Sequence, residues 1–486
     1  MHFSFTLPII PRNFVRKMKD MLTKSETFKQ EYCCTIVRIG KVEPIENSDF
    51  LAQVLVEGRT IVVRKDQVHE GDVMFYVANE CQVNADFLRS GNYFEDRSMN
   101  ADPDRKGYIN KYGRIRMVKL RGILSMGILF APEELERWCP GMRRFDISEH
   151  VGEDFDTVGG TLFVKAYVPM RKEPSARRNG AASRKHRPQF DRIIPEEFNF
   201  HYETQQLNRE IDRFRQEDKV SISVKLHGTS IVIGNILTRQ PRWGGLYARI
   251  FNFLPSFLQR TCPGYDVVYS SRTVIKNKYY NAKVGPGYYD EDVWGEYYAL
   301  LKPYIPKGYT IYGEIVGYVG GLAQMIQKGY DYGCNEGSNR LMIYRVSIVD
   351  PEGGRRRELN IPEVQEFIGS LRSRLAEVAE GGIEASQRLM DIPLLYQGRL
   401  GDLYPEIAGT SDWNARLLEC FKKDSGRFGM EQDEPLCNNK VPREGICIRI
   451  MDDPINECFK LKTLRFLGKE AELIDKGEVD IELSQA

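Results

Sequence analysis

A lysine placed directly before a possible tight turn is the first feature of the sequence that could do chemistry. Apolar and polar residues alternate through 219–225, which predicts a β-strand with Lys225 at the end of its polar face. Gly228 permits a tight turn, and the apolar residues from Ile231 onward predict a second strand. Such a lysine could face a cleft at the edge of a sheet. Most lysines in this setting are simply solvated, so the segment alone does not define a site.

A carboxylate within an otherwise apolar strand is the second such feature. The segment Tyr309–Gly317 has strand character, and Thr310, Tyr312 and Glu314 share one of its faces. Burying a carboxylate without a partner is unfavourable. A structural salt bridge is the ordinary explanation for Glu314, and the functional alternative is that it accepts a hydrogen bond from a ribose hydroxyl.

Two charged segments near the C-terminal end of the sequence form the third feature. Glu444 begins a strand-like run over 444–450, and a second run follows at Cys458–Lys462. In the second run Lys460 and Lys462 project from the same face. Two like charges so placed repel each other unless an anion lies between them or water solvates both. These residues alone leave both explanations open.

The composition is that of an ordinary globular chain, large enough for two or three domains. The sequence has 486 residues, 42% of them hydrophobic and 28% charged, with a formal net charge of +1. A polyanionic partner therefore requires a local basic surface. The 10 cysteines and 6 histidines show no metal-ligand spacing, which argues against zinc and favours a reducing, cytoplasmic compartment. The apolar run at residues 5–10 is too short to span a bilayer and lacks signal-peptide features, so no membrane partner is expected.

The N-terminal third has the pattern of a small β-barrel. Short strands are predicted at 33–37, 52–56 and 73–77, with a hairpin turn at Glu57-Gly58, and one further β segment is predicted over 117–124, continuing to residue 130. Short strands with long loops favour an OB-like domain over residues 31–170, after an N-terminal extension formed by residues 1–30. Other small barrels would give a similar pattern.

A basic segment and a mixed domain follow. Seven of the residues from 171 to 188 are Arg or Lys, and residues 171–194 are predicted to be a linker that either is a solvated tether or also touches phosphates. Residues 195–486 are predicted to alternate strands and helices. Apolar residues at helical spacing predict a helix with a buried face over 361–380, and a second helix is predicted over 413–421.

The order of the charged segments resembles that of a known superfamily. The turn Lys225-Leu226-His227-Gly228 and the strands Tyr312-Gly313-Glu314, Glu444-Gly445 and Lys460-Leu461-Lys462 resemble the motifs of covalent nucleotidyltransferases, which include polynucleotide ligases and RNA capping enzymes. Their usual first motif is Lys-x-Asp-Gly, and the form with His resembles RNA ligases of the nick-sealing and RNA-editing group. Residues 327–334 and 119–122 are similar to stretches of RNA ligases that carry their OB domain first. The resemblance spans roughly residues 30–467.

The resemblance implies a role for each matching residue. Lys225 would be the adenylated nucleophile, His227 and Gly228 would belong to the nucleotide-binding turn, and Glu314 would hold the ribose. The remaining roles concern the phosphates, the base and the metal: Arg272, in Ser270-Ser271-Arg272, would contact phosphate or the incoming strand, Tyr344 would stack on adenine, Glu444 would organise the divalent metal, and Lys460 and Lys462 would bind the α-phosphate.

The fold and activity implied by the resemblance are specific. The fold would be α+β, with an N-terminal OB-like β-barrel followed by a nucleotidyltransferase domain of antiparallel sheets flanked by helices. The activity would be that of an ATP-dependent RNA ligase that joins 3′-hydroxyl and 5′-phosphate ends, expected at duplex nicks, through lysyl-AMP and an adenylated 5′ end. ATP and Mg²⁺ or Mn²⁺ would be required. The partner would be RNA or an RNA-containing nicked duplex, and no protein partner is predicted.

Two alternatives belong to other functional classes. One is a capping-type guanylyltransferase, but capping enzymes place an OB domain after the Lys-x-Lys strand, and the stretch from Lys462 to Ala486 is expected to be too short for one. The other is a non-catalytic OB-fold protein that binds nucleic acid. That alternative does not explain why Lys225, Glu314 and Glu444 occur together with the two C-terminal lysines.

Overall fold

A computed structural model describes residues 21–168, 190–202, 204–277, 289, 291–350, 356–377, 381–451 and 457–476. The chain divides into two compact units, residues 1–169 and 170–486. Residues 1–20 of the predicted N-terminal extension and residues 171–189 of the predicted linker lie outside the described residues. The last predicted linker residues pack within the second unit, because Ile193 forms a β-bridge with Thr238. Among the described residues, no helix is long and apolar enough to cross a membrane.

The first unit is built from short antiparallel strands. Its strands are β1 (Leu22–Thr23), β2 (Cys34–Arg38), β3 (Val42–Pro44), β4 (Leu51–Val56), β5 (Arg59–Arg64), β6 (Val73–Ala78), β7 (Cys81–Val83), β8 (Val118–Leu120), β9 (Ile123–Ser125), β10 (Gly127–Phe130), β11 (Asp154–Phe155), β12 (Thr157–Val158), β13 (Thr161–Leu162) and β14 (Val164–Ala166), and its helices are α1 (Ala85–Ser90) and α2 (Pro132–Trp138). One of its sheets has the order β10-β6-β2-β11. Ile36, Phe75 and Phe155 from this sheet are buried in one hydrophobic core.

Two turns in this unit test the predictions from sequence. The predicted hairpin turn is confirmed, since β4 and β5 pair across Glu57 and Gly58, whose φ angles are 47° and 69°. The single β segment predicted over 117–124 is wrong. Arg121 and Gly122, at φ 49° and 85°, reverse the chain there, so that β8 and β9 pair with each other as a hairpin.

The second unit contains two sheets and the longer helices. Its strands are β15 (Gln205–Gln206), β16 (Lys219–Lys225), β17 (Thr229–Pro241), β18 (Thr261–Ser270), β19 (Tyr309–Gly317), β20 (Asn339–Val349), β21 (Arg356–Glu358), β22 (Leu389–Asp391), β23 (Leu394–Arg399), β24 (Gly445–Ile450) and β25 (Cys458–Lys462). Its helices are α3 (Leu207–Glu210), α4 (Leu246–Ile250), α5 (Val293–Leu301), α6 (Ile361–Glu377), α7 (Gly382–Gln387), α8 (Trp413–Lys423) and α9 (Leu464–Asp475). One sheet has the order β15-β25-β24-β16-β23, and the other has the order β18-β17-β19-β20-β21 with β22 beside β20.

Alternation along the strands separates an apolar core from a polar face. Val220 and Ile222 of β16 pack with Phe459 and Leu461 of β25 in one hydrophobic core. The side chains between them therefore point to the opposite face. The predicted helix over 361–380 is confirmed as α6 up to residue 377, and its apolar stripe is buried against the second sheet. The helix predicted over 413–421 is confirmed as α8.

Candidate active site

Lys225 and Glu444 form an ion pair at the end of two neighbouring strands. Lys225 ends β16, and Glu444 immediately precedes β24, with which β16 pairs in antiparallel register. The Lys225 Nζ lies 2.7 Å from Oε1 of Glu444. The Glu444 side chain is 3% exposed and that of Lys225 is 21% exposed. The predicted nucleophile is thus partly accessible, whereas the carboxylate beside it is buried.

Gly445 separates the two lysines across the sheet. The register pairs Gly445 with Lys225 on one side and with Lys462 on the other. A Cβ at this position would overlap the carbonyl oxygen of Leu461, and the φ of Gly445 is 154°. The backbone at this position therefore requires glycine, and Lys225 and Lys462 lie on the strands to either side of it.

Carboxylates, rather than solvent, accompany the C-terminal lysine pair. The Lys462 Nζ lies 3.7 Å from Glu444 Oε1 and 3.1 Å from both carboxylate oxygens of Glu470, on α9. Lys460 is buried and points to the same face of β25 as Lys462. The explanation that solvent exposure relieves the repulsion between Lys460 and Lys462 is therefore wrong. Glu470 was not identified from the sequence, because its contact depends on how α9 packs.

This face of the sheet is electropositive. The register places Arg449 opposite Ser221 and Lys460 opposite Cys447, on the face that also carries Lys225 and Lys462. The thiol of Cys458 lies on this face as well. A hydrogen bond from the Cys447 thiol lowers the pKa of Cys458, and the nearby Arg449 guanidinium lowers it further, against the effect of burial. A cluster of cations on one partly buried face suits a bound polyanion.

Glu444 has an unsatisfied oxygen that fits a divalent cation. Its Oε2 is buried without a hydrogen-bond partner among the described residues, and His227 Nδ1 lies 3.9 Å away. Burying such an oxygen is unfavourable unless something binds it. The described residues contain no group of three or more His, Cys, Asp or Glu side chains that could hold a metal. A metal bound through one carboxylate, with phosphate oxygens and water completing its shell, is the arrangement preferred by Mg²⁺.

The turn after Lys225 is held against the second sheet. The Gly228 backbone N–H donates to Oε1 of Glu314 at 3.1 Å, and the Gln327 side-chain amide donates to the Gly228 carbonyl at 2.8 Å. A Cβ on Gly228 would overlap the Ile315 carbonyl oxygen and Cγ of Glu314. Glycine therefore allows the turn to approach β19 closely enough for this contact, which brings Glu314 into the same site as Lys225.

The ring of His227 lies in an aromatic setting. Its centroid is 4.9 Å from that of Tyr330 and 5.0 Å from that of Phe466, both at interplanar angles of 83°. The His227 backbone N–H donates to the hydroxyl of Tyr332 at 2.8 Å. Tyr330 and Tyr332 belong to the segment 327–334, which the sequence linked to RNA ligases. That segment therefore positions the lysine turn.

Tyr344 lies on the face of the second sheet that carries Glu314. Burial and the Glu314 carboxylate raise the pKa of the Tyr344 hydroxyl. Arg449 of the first sheet donates to the Tyr344 carbonyl at 2.7 Å, so that this residue lies where the two sheets approach each other. A cavity of about 370 Å³ opens beside it, lined in part by Ser223, Tyr344 and Arg449. Ser223 precedes Lys225 by two residues on the same face of β16.

Arg272 follows the end of β18. The last residue of β18, Ser270, pairs with Val232 of β17. Ser230, two residues earlier in β17 and nearer to the Lys225 turn, pairs with Glu314 of β19. Arg272 thus belongs to the end of the sheet where Glu314 lies. The structure brings Lys225, His227, Glu444 and Lys462 into direct proximity, and links Gly228 with Glu314 by a hydrogen bond. Arg272, Tyr344 and Lys460 are placed by strand register on the faces or edges around them.

A buried ion pair supports the strand start at Glu444. The Arg443 guanidinium contacts both oxygens of Glu434, at 2.9 and 3.1 Å, and donates to the Phe428 carbonyl at 2.7 Å. The Thr463 hydroxyl donates to the Arg443 carbonyl, and the Thr463 backbone N–H donates to the Glu444 carbonyl. These contacts hold the backbone on both sides of the cluster. The contact of Glu434 with Arg443 was not predicted from the sequence, because a separation of nine residues matches neither helix nor strand periodicity.

Asp331 ties two loops together behind the site. It accepts hydrogen bonds from the backbone N–H groups of Asn438, at 2.9 Å, and of Asn439, at 3.1 Å. Burial by itself would raise the pKa of Asp331, but these backbone donors, with that of Gly333, outweigh the effect and lower it. The loop that precedes Glu444 is thereby anchored to the segment that positions His227.

Comparisons with known proteins agree with this architecture. A family model described as an OB-fold domain matches residues 33–132. Among solved structures, a Naegleria gruberi RNA ligase mutant with AMP and Mn is similar at 15% identity and a TM-score of 0.53, covering 90% of this chain and 98% of that one. A second mutant of that ligase with AMP and Mn has 14% identity and a TM-score of 0.52, covering 91% and 99%. The same ligase with PPi has 14% identity and a TM-score of 0.51, covering 92% and 100%. No curated protein matches the chain.

These likenesses bear on the fold. The α+β fold predicted from the sequence is confirmed, with an OB-fold domain first and the antiparallel sheets and helices of RNA ligase structures after it. At 14–15% identity they do not assign a role to any residue.

Proposed function

We propose that the protein is an ATP-dependent RNA ligase that joins a 3′-hydroxyl to a 5′-phosphate through a lysyl-AMP intermediate on Lys225. The observation that carries the proposal is the arrangement of two amines and one buried carboxylate around Gly445. Lys225 and Lys462 lie on the strands to either side of this glycine, and Glu444 contacts both. Such a set can hold a phosphate between cations beside a nucleophilic amine.

The first step would transfer AMP to the protein. After Lys225 loses its proton to solvent, its Nζ attacks the α-phosphorus of ATP, the N–P bond forms, and the P–O bond to pyrophosphate breaks with pyrophosphate leaving. Lys460 and Lys462 would stabilise the negative charge that develops on the α-phosphate oxygens. A divalent cation held by Glu444 would add charge neutralisation at the phosphates.

The remaining residues would bind the nucleoside. Glu314, which accepts from the Gly228 N–H, would also accept a hydrogen bond from a ribose hydroxyl. We place the adenine against the ring of Tyr344, which lies on the same face of the second sheet as Glu314. His227 would orient the turn and the Glu444 carboxylate. Arg272 would contact a phosphate of ATP or of the incoming strand.

Two further transfers would complete the reaction. The 5′-phosphate of one RNA end attacks the phosphorus of lysyl-AMP, which releases Lys225 and leaves a 5′-adenylated end. The 3′-hydroxyl of the other end then attacks the 5′-phosphorus and AMP leaves. We expect a duplex nick as the substrate, because OB folds bind nucleic acid and the Lys-x-His-Gly turn resembles nick-sealing RNA ligases.

Covalent labelling tests the proposal directly. Wild-type protein incubated with ATP labelled at the α-phosphate should retain the label through denaturation, and Lys225→Ala should retain none. Lys219→Ala is the matched control, since Lys219 is exposed at the other end of the same strand and should label normally. Labelled GTP in a parallel reaction distinguishes a capping-type enzyme. Undiminished labelling of Lys225→Ala, or labelling by GTP alone, would refute the proposal.

Joining is measured separately from labelling. Nicked duplexes whose 3′-hydroxyl and 5′-phosphate ends are varied between ribose and deoxyribose should show the strongest sealing when the 3′-hydroxyl strand is RNA. Equal sealing of an all-DNA nick would show that the substrate class has been assigned wrongly. Absence of both labelling and sealing, with RNA binding intact, would favour the non-catalytic binding protein.

A further inference from the structure

An exposed apolar segment caps the long hairpin formed by β17 and β18. The two strands pair continuously from Val232 with Ser270 to Pro241 with Thr261. Residues 242–260, here called the tip segment, connect them and contain α4 and two short 3-10 turns. The tip segment plays no part in the proposed adenylation chemistry.

The tip segment exposes large apolar side chains close together in the chain. Trp243 is 52% exposed, Phe253 69% and Phe257 71%, and Leu246 is 72% exposed. Single exposed apolar residues are common on protein surfaces, but four large ones within one short folded segment point to an interaction site. Three of the four residues carry aromatic rings, which can lie flat against a planar partner.

The tip segment is folded, so the exposure of these rings is not a result of an unpacked loop. The Tyr247 hydroxyl donates to the Leu258 carbonyl at 2.8 Å and accepts from the Arg260 backbone N–H. Phe251 is fully buried, and its ring lies 5.7 Å from that of Tyr247. The segment therefore packs through one set of aromatic residues and presents another set to solvent.

The charge of this region has a single sign. Residues 239–260 contain four arginines, at positions 239, 242, 249 and 260, and no Asp or Glu. All four side chains are exposed, and the Arg242 guanidinium lies 5.7 Å from the centre of the Trp243 ring. Exposed aromatic rings interleaved with arginine are the combination that binds unpaired nucleic acid, because bases stack on the rings while the cations contact phosphates.

We propose that the tip segment is a docking surface for an unpaired stretch of the RNA substrate. The charge complementarity favours a polyanion over an apolar protein surface. An anionic membrane would also attract arginine, but α4 has only 5 residues, too few to lay an amphipathic face along a bilayer. Arginine combined with exposed rings is instead suited to stacking and phosphate contact at the same nucleotide.

The geometry predicts how long the RNA must be. β17 has 13 residues, and at about 3.3 Å per residue the tip lies up to about 40 Å from the turn after Lys225. A substrate whose nick lies at Lys225 could therefore continue as a duplex for on the order of ten base pairs, at about 3.4 Å each, before an unpaired stretch meets the tip segment. This inference rests on the proposed function for the identity of the partner. The tip segment would hold the outlying part of a substrate whose end is at Lys225.

Binding of a fluorescein-labelled, unstructured 20-nucleotide RNA, followed by anisotropy with the full chain, tests the inference. Trp243→Ala and Phe257→Ala should each weaken binding by about 5- to 150-fold if one base stacks on the ring. Combining Arg242→Gln, Arg249→Gln and Arg260→Gln should lower the slope of log affinity against log salt by about 2, since each phosphate contact on a single strand contributes about 0.7.

Matched substitutions elsewhere in the second unit serve as controls. Ile383→Ala removes a side chain that is 67% exposed, and Arg416→Gln removes an exposed guanidinium. Neither substitution should change RNA binding. Every tip variant should still form lysyl-AMP as the wild type does. Unchanged RNA affinity and salt slope in the tip variants would overturn the inference. It would also be overturned if the tip variants lost binding to phosphatidylserine vesicles but bound RNA as the wild type does. If wild-type protein binds the RNA through the tip segment but never labels with ATP, the proposed activity fails and this docking surface stands.

Discussion

The carboxylate of Glu444 contacts Lys225 through one oxygen, at 2.7 Å, while its other oxygen is buried without a hydrogen-bond partner among the described residues. A carboxylate that was only a structural partner for the lysine would be expected to satisfy both oxygens. The unsatisfied oxygen lies 3.9 Å from His227 Nδ1, beside the amine proposed as the nucleophile. The contact between Glu444 and Lys225 is therefore the feature of the site that substitutions can test most directly.

Glu444→Gln keeps the shape of the side chain and removes its charge. We expect the rate of lysyl-AMP formation to fall at least about 10-fold and its dependence on Mg²⁺ concentration to shift to higher concentrations, because the amide is a poor metal ligand. The initial rate of labelling across a Mg²⁺ titration measures both effects. Glu472→Gln, which alters an exposed carboxylate paired with Lys476, is the control. An unchanged metal titration in Glu444→Gln would show that Glu444 does not bind the metal.

Gly445→Ala should destabilise the second unit. The added Cβ would overlap the Leu461 carbonyl oxygen in the neighbouring strand, and the φ of 154° is unfavourable for other residues. We expect the free energy of unfolding to fall by about 2 kcal/mol or more, measured by urea unfolding. Gly369→Ala is the control, since this glycine lies within α6 with open space around it, and it should stabilise the protein by about 0.5–1 kcal/mol. A Gly445→Ala protein as stable as wild type would contradict the close approach between Gly445 and the Leu461 carbonyl oxygen.

Glu434→Ala should destabilise the protein far more than the loss of a surface ion pair. The substitution leaves the Arg443 guanidinium buried without its carboxylate, which costs about 3–5 kcal/mol. Asp433→Ala breaks the neighbouring pair with Arg465, in which both side chains are 46% exposed, and should cost less than about 1 kcal/mol. Urea unfolding of the two variants gives the comparison. Equal effects would mean that the buried pair does not hold the start of β24.

Removal of residues 1–170 should separate joining from adenylation. The cluster around Gly445 lies entirely in the second compact unit, whereas the OB-fold domain lies in the first. We expect the sealing of nicked duplexes to fall by a larger factor than the labelling of Lys225, because OB folds bind nucleic acid and the chemical groups stay in place. Both rates are measured on the same preparation of the truncated protein. A similar loss of both would show that the first unit is needed for the adenylation step itself.

Several features of the fold and site follow from local sequence. Strict alternation through 219–225 is enough to predict β16 and the face on which Lys225 lies, because the side-chain period of a strand is two. The same rule separates Lys460 and Lys462 from the buried Phe459 and Leu461. The helical spacing of apolar residues predicts α6. The OB-fold domain was predicted from short strands and turns, although the hairpin of β8 and β9 was missed because a left-handed turn at Arg121 leaves little trace in an alternating pattern.

Tertiary structure alone decided how these pieces meet. The order of the motifs resembles that of covalent nucleotidyltransferases, and this resemblance predicted which residues belong to one site. It did not predict that Lys225 and Lys462 would lie on either side of Gly445. That relationship depends on strand register, which is set by pairing between segments more than 200 residues apart along the chain. The Glu470 contact with Lys462 and the Glu434 contact with Arg443 likewise arise from packing. None of these contacts has a periodic signature, so no local pattern in the sequence could have predicted them.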